Sequence, residues 1–359
     1  MIRSFVINKY LSIEFLKVVI IMTFIFFTLS FVLNLFEEIN FFKDYKVGID
    51  VPLLMSILFV PNLVFNMYPF IILLSGIWFF LKIKKTDEII AMKASGLSNL
   101  SVLSVPSILS IIIGIFFITS ISPITSVLVK KYESIKNTYE KEQESLASVT
   151  VNGIWIKEKN FIIQSSSLDK KYLKDVTIYE FDDNFNFLKR IETETANIET
   201  KTWKLLNPII INNDGKKSYY EDKTFLYDSY YDVNKINSLY SNLDTISFWD
   251  IKKEIKLLEE RGYSTNEMRA KMQKSFAFPF FLLGMILLSG VFTLSSNFRE
   301  SNWTYVFLSI ITSVLVFYLN DFSAALGKTD KLPVELSVWM PILIIFIFSA
   351  VGIIHANQK

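Results

Sequence analysis

The sequence predicts a membrane α-helical protein of about six transmembrane helices, with an all-β domain inserted after the third. Three observations predict it. Apolar residues make up 51% of the 359-residue chain and the mean hydropathy is +0.37, which suits an integral membrane protein with a sizeable soluble part. About six apolar runs reach the roughly 20 residues that a helix needs to cross a bilayer. Between the third and fourth runs the hydropathy collapses over about the length of one domain.

The runs lie at 18–36, 53–81, 100–123, 276–295, 304–322 and 334–354. The first is too long for a signal-peptide core, and no small-x-small cleavage site follows it, so it is expected to stay as a span. Lys and Arg gather in one set of short loops. Arg3, Lys9 and Lys17 precede the first run, Lys82, Lys84, Lys85 and Lys93 follow the second, Arg299 separates the fourth from the fifth, and Lys359 ends the chain. The loops of the other set hold Lys43, Lys46, Lys328 and Lys331, offset by Glu37, Glu38, Asp44, Asp50 and Asp330. The bias predicts cytoplasmic termini and a β domain on the far side, long domains being exempt from the charge rule.

Residues 82–98, KIKKTDEIIAMKASGLS, form a short charged helix wedged between the second and third runs. Thr86 is expected to cap it, Asp87 and Glu88 to lie in its first turn, and Gly96 to stop it. Acids early and Lys93 late both suit the helix dipole. Such a segment is poor at chemistry. It reads either as a solvated connection between spans or as a docking surface.

Residues 145–235 read as strands. SVTVNGIWIKEKNFIIQS alternates apolar and polar positions around Asn152-Gly153, a strong hairpin signal. A second hairpin is expected at Asp182–Asn184 and a third at Asn213-Asp214-Gly215, which suggests an all-β sandwich or open roll. Ser247-Phe248-Trp249-Asp250 looks like a capping-box start, so a helix is expected from there to Arg261, stopped by Gly262. No internal repeat is visible. The resulting division is 1–128, with three spans and the charged helix at 84–96; 129–246, the β domain; and 247–359, a connecting helix and three further spans.

Several chemistries are excluded. The chain has no cysteine, hence no disulfide, thiolate nucleophile or Cys-type zinc site. The single histidine, His355, lies in the tail, so histidine triads and HExxH sites are absent. A net charge of +2 gives no strongly basic surface for nucleic acid. Gly327-Lys328-Thr329 looks like the end of a phosphate-binding loop, but a full motif needs glycine where Phe322 stands, and no strand precedes it. The chain therefore shows no ATPase of its own. Glu37-Glu38 and Asp182-Asp183 read as loop carboxylates without a catalytic role, and Asp321 as a hydrated helix end. On the outer side, Lys130 and Lys131 follow the third run, and Arg269, Lys271 and Lys274 precede the fourth. They either snorkel along lipid or recognise phosphorylated head groups.

The segment VFNMYPFIILLSGIWFFL, the charged helix with its GLS end at 96–98, and LSVLSVPSILSIIIGIFFI together resemble the second span, coupling helix and third span of the lipopolysaccharide export permeases, the LptF/LptG family. The likeness continues at Gly153-Ile154-Trp155-Ile156-Lys157 and at 318–341, YLNDFSAALGKTDKLPVELSVWMP, both closer to LptG than to LptF. Positions that are often basic in LptG hold Asn34 and Asn62 here.

The resemblance implies an inner-membrane permease with a periplasmic jelly-roll-like β domain, half of a heterodimer with an LptF-like partner. An LptB-like ATPase would hydrolyse ATP beneath it, and LptC-like and LptA-like proteins would receive the lipid. No cofactor is expected on this chain, ATP being used by the partner. Lys85, Asp87, Glu88, Met92 and Gly96 are implied as the ATPase-coupling residues. Lipopolysaccharide carries phosphates at the interface and acyl chains below it, so its cavity needs an apolar wall and a polar rim. Phe31, Leu35 and Phe65 are candidates for the wall. Asn34, Asn62, Lys43, Lys46, Lys130 and Lys131 are candidates for the rim, with Lys271 and Lys274 beside them. Ile162 is expected on the inward face of a β-domain strand. A permease for another lipid or lipoprotein, and a membrane-anchored sensor with a ligand-binding β domain, are the alternatives.

Overall fold

A computed structural model describes residues 2–140, 145–150, 153–158, 160–169, 171–182, 186–213, 217–219, 224–229, 231, 233, 236, 243–260, 265–294, 302–328 and 331–357. The chain divides into two units. The first comprises Met1–Tyr132, Ser247–Lys252 and Asn266–Lys359, the second Glu133–Ile246 and Lys253–Thr265.

The first unit is helical. Helix α1 (Ile2–Phe41) carries the first predicted span but starts well before it, because residues 2–17 keep a helical pattern with Leu11 and Phe15 buried. A short turn leads to α2 (Asp50–Lys85), then α3 (Glu88–Ala94) and α4 (Asn99–Phe116). A π-helical turn, Phe117–Ile121, joins α4 to α5 (Ser122–Glu140). After the β insertion come α6 (Ile251–Glu260), which from Lys253 on belongs to the second unit, and then α7 (Asn266–Leu294), α8 (Asn302–Lys328) and α9 (Val334–Asn357) of the first.

Among the described residues five helices are long and apolar enough to cross a membrane: α1, α2, α4 with its continuation into α5, α7 and α9. The fifth predicted span, 304–322, falls on α8, whose described apolar part is Val314–Gly327. Asp321 is exposed inside α8, short of the helix end at Lys328 where it was expected.

Helix α7 is the centre of this unit, and small residues let its neighbours approach. At Gly114 of α4 an added Cβ would stand 2.6 Å from the Pro279 backbone, and at Gly76 of α2 it would strike Ser289. The core between these helices holds Phe15, Phe79, Phe80, Ile71, Ile72 and Ile286. The π turn leaves the Thr119 carbonyl to accept a hydrogen bond from Trp249 Nε1 at 3.1 Å. Ser247 and Asp250 form a turn, with Asp250 N–H donating to the Ser247 carbonyl at 3.1 Å. That turn occupies the expected cap, so α6 begins at Ile251 and not at Ser247.

The second unit contains one antiparallel ten-stranded sheet, the β insertion that the alternating pattern predicts. Strands β1 (Ser145–Thr150) and β2 (Gly153–Glu158) form the first hairpin, with Thr150 opposite Gly153. Next come β3 (Phe161–Ser165), β4 (Ser167–Asp169), β5 (Tyr172–Phe181) and β6 (Phe187–Asn197). The rest are β7 (Thr202–Leu206), β8 (Ile209–Asn212), β9 (Lys217–Tyr219) and β10 (Thr224–Asp228). The order is β1-β2-β3-β5-β6-β7-β10, with β4 beside β5 and the β8–β9 pair beside β6. Gly153 has φ +109°, and a Cβ there would strike the Ser165 carbonyl, so this turn residue admits no side chain.

Ile154, Ile156, Ile163, Ile178, Ile191 and Trp203 form the core of the sheet, with Trp203 Nε1 donating to the Tyr231 carbonyl at 2.6 Å. Ile162 is not inward. It alternates with buried Ile163, which pairs with core residues Ile156 and Ile178, so its side chain points to the other face. The expected turn residues Asn152, Asp183, Asn184, Asp214 and Gly215, the stop at Arg261 and Gly262, and Arg299, Thr329, Asp330 and Lys359 lie outside the described residues, as do the side chains of Lys328 and His355.

Candidate coupling helix and lipid site

Helix α3 is seven residues long, too short to persist in water by itself. Packing and two end structures hold it. Ile89 and Met92, three positions apart, share its buried face and join the core of the helical unit. At its start Asp87 takes φ +57° and makes no side-chain cap. Thr86 is not the cap that was expected. Its hydroxyl donates back to the Lys82 carbonyl at 3.1 Å and to Glu88 Oε1 at 2.8 Å, so it finishes α2.

The end of α3 is a Schellman turn. Gly96, at φ +88°, donates its N–H to the Lys93 carbonyl at 2.9 Å, and Leu97 donates to Met92 at 3.1 Å. Ser98 then caps α4 by accepting from Ser101 N–H at 3.2 Å. The GLS end thus has a reason at each position: a left-handed residue, an apolar residue that folds back, and a cap.

Lys85, Asp87, Ile90 and Lys93 are exposed, Ile90 to 49%. Met92, expected as a coupling contact, is only 7% exposed, so it anchors α3 instead of presenting it. Ile90 is the apolar residue on the free face. It escaped the sequence reading because Ile89-Ile90 offers no way to choose which one is buried.

Glu88 is half-buried and held from two sides. Besides Thr86, Tyr10 of α1 donates to Glu88 Oε2 at 3.0 Å. One turn further along α1, Glu14 accepts from Lys17 at 2.7 Å and from Lys82 at 2.6 Å. Lys84 donates to the Thr293 carbonyl of α7 at 3.3 Å. Tyr10 and Glu14 were missed, since no local pattern links α1 to a helix so far along the chain.

The other end of α1 carries a polar stripe at helical spacing: Ser30, Asn34 and Glu38, all buried, the last to 1% exposure. Glu38 is no loop residue. It sits inside α1 and accepts from the Tyr132 hydroxyl at 2.7 Å, while Tyr132 stacks on Phe59 at 4.6 Å. The i, i+4, i+8 spacing of these polar residues in an apolar helix was the signal available in the sequence.

Contacts at Glu14–Lys82, Phe26–Phe70 and Ser30–Met67 set the antiparallel register of α1 on α2. That register puts Asn34 level with Asn62, and both are buried. Oδ1 of Asn34 has no hydrogen-bond partner. Phe31 and Leu35 are half-buried, as is Phe65, which stacks on Phe278 at 5.3 Å and Phe117 at 5.9 Å.

Tyr132 brings the neighbouring Lys130 and Lys131 to the end of the bundle that holds Lys43 and Lys46. The Phe65–Phe278 stack places Lys271 and Lys274 at that end too. All six lysines are exposed except Lys271, which is half-buried. The expected rim therefore separates into a buried neutral seam and a set of cations beyond it. No group of three or more acids or histidines that could hold a metal occurs among the described residues.

The family model for the lipopolysaccharide export system permease LptF/LptG matches residues 9–355. The chain belongs to the LptF/LptG permease family. No curated protein matches it. The match covers every transmembrane helix and the β insertion, so the arrangement of this LptF/LptG permease is that of a multi-pass inner-membrane protein with a role in lipopolysaccharide export, not of an enzyme.

Proposed function

We propose that this permease is the LptG-like half of an ABC-type lipopolysaccharide exporter, taking its energy from a separate cytoplasmic ATPase that docks on α3. The observation that carries the reading is α3 itself. A seven-residue helix is anchored by Ile89 and Met92, closed at its end by Gly96, and left with Lys85, Asp87, Ile90 and Lys93 exposed. Such a patch, one exposed isoleucine set among charged side chains, suits a groove on another protein. Extraction of an amphiphile requires energy, and the sequence carries no phosphate-loop motif.

In this reading both termini and α3 are cytoplasmic, and the β domain is periplasmic. A second, LptF-like permease completes the cavity. LptC-like and LptA-like proteins receive the lipid beyond the β domain. The permease binds no cofactor of its own. Half-buried Phe31, Leu35 and Phe65 lie along the acyl-chain wall. Lys43, Lys46, Lys130, Lys131, Lys271 and Lys274 meet the phosphates, while Asn34 and Asn62 supply neutral hydrogen bonds below them.

Affinity purification of the tagged chain from native membranes tests this. Mass spectrometry is expected to find an ATPase subunit, a second permease and lipopolysaccharide. Glu88→Lys is expected to insert normally and to lose ATPase recovery or transport-coupled hydrolysis. Normal recovery together with normal coupling in that variant rejects α3 as the docking site. Recovery of phospholipid alone rejects lipopolysaccharide as the cargo.

A further inference from the structure

Helix α1 is one uninterrupted element of 40 residues, Ile2–Phe41. Near its start it is tied to the α2–α3 junction twice, by Tyr10 to Glu88 at 3.0 Å and by Glu14 to Lys82 at 2.6 Å. Tyr10 and Glu14 are four residues apart and share one face, and Leu11 and Phe15 beneath them are fully buried in the core. The same helix carries the buried stripe of Ser30, Asn34 and Glu38 about 36 Å away, at 1.5 Å of rise per residue.

Glu88 is fixed before any partner arrives. Each of its oxygens accepts one hydrogen bond, Oε1 from Thr86 and Oε2 from Tyr10. A carboxylate oxygen has two lone pairs, so each can take a second donor from a docked protein. Glu88 therefore connects whatever docks on α3 to α1 through a single phenol.

We propose that Tyr10 is a positioning residue for energy coupling. By holding Glu88, it makes α1 follow any displacement of α3, so that the displacement reaches the polar stripe at the far end of α1. This rests on the reading of α3 as the ATPase dock. A small shift at one end of a packed rigid helix is carried along its length, since close-packed interiors do not absorb it.

The test uses the full transport complex in lipopolysaccharide-containing proteoliposomes, with Tyr10→Phe, which removes one hydroxyl and keeps the ring. Complex yield and ATP hydrolysis are expected to stay at the unmodified level. Lipopolysaccharide extracted per ATP is expected to fall about threefold to tenfold, the range for loss of one ordinary hydrogen bond, as suits an exposed pair. A second readout separates coupling from mere stability. The chain has no cysteine, so Lys9→Cys and Ala94→Cys, both at exposed positions and outside the docking residues, give a clean spin-label pair on α1 and α3.

With Tyr10 present, the label distance is expected to be the same in the nucleotide-free and vanadate-trapped complexes. With Tyr10→Phe it is expected to change between them. Unaltered extraction per ATP with an unaltered label distance overturns the inference and leaves the α3 dock standing if Glu88→Lys still loses the ATPase. Retention of the ATPase and of coupling in Glu88→Lys overturns both.

Discussion

Met92→Ala tests whether this residue anchors α3 or touches the partner. Its side chain is 7% exposed, and Ile89 beside it is 5% exposed; these two are the buried residues of the seven-residue helix. Truncating a buried methionine to alanine costs about 2–5 kcal/mol. The long helices lose little, because the core that Met92 shares with Phe79 and Phe80 is held by many other residues. The cost falls instead on α3, which has almost no intrinsic stability at this length. At 1.4 kcal/mol per decade, the lower bound of about 2 kcal/mol multiplies the open population of α3 about thirtyfold.

Hydrogen exchange of the full-length chain in detergent, read on peptides covering 86–97, measures this directly. Exchange at the α3 amides is expected to rise about thirtyfold or more, with peptides of α2 unchanged. Met92→Leu conserves volume and is expected to restore protection at a cost under about 1.5 kcal/mol. ATPase recovery should follow protection, falling in the first variant and returning in the second. Unchanged exchange in Met92→Ala combined with lost ATPase would make Met92 a direct contact and refute the burial argument.

Other outcomes follow from the same geometry. Tyr132→Phe removes the phenol that donates to buried Glu38, leaving a buried acceptor unsatisfied at a cost of about 1–3 kcal/mol, and is expected to lower the melting temperature in detergent; an unchanged melt would show that the contact contributes nothing. Gly114→Leu pushes a side chain into the Pro279 backbone and is expected to abolish the folded yield, while Gly114→Ala lowers it less; wild-type yield for both would contradict the close approach of α4 to α7. Reporter fusions after Asn213 are expected to score periplasmic, and fusions at Lys84 and after Lys359 cytoplasmic; a cytoplasmic score at Asn213 would sink the orientation and the transport reading with it.

Hydropathy and period determined the broad architecture of this protein. Runs of about 20 apolar residues can only be satisfied as helices in lipid, and strict alternation with Asn-Gly and Asp-Gly turns can only be buried on one face of a sheet. That is why the helices, the β insertion and the charged segment at 82–98 were legible from residue order alone. Gly96 was legible too, since a left-handed helix stop is a local requirement of the backbone. Tertiary structure decided the rest, because each of those features depends on residues far apart in the chain. Met92 and Ile90 are equally apolar in sequence, and only the packing of α3 on the helical unit buries the first and exposes the second. Ile162 and Ile163 differ only by strand register, which Ile156 and Ile178 set. Glu38 resembled a loop acid until α1 ran past it and Tyr132, far along the chain, supplied its hydrogen bond. Tyr10 meets Glu88 because α1 and α2 pack antiparallel, and local periodicity carries no record of that pairing.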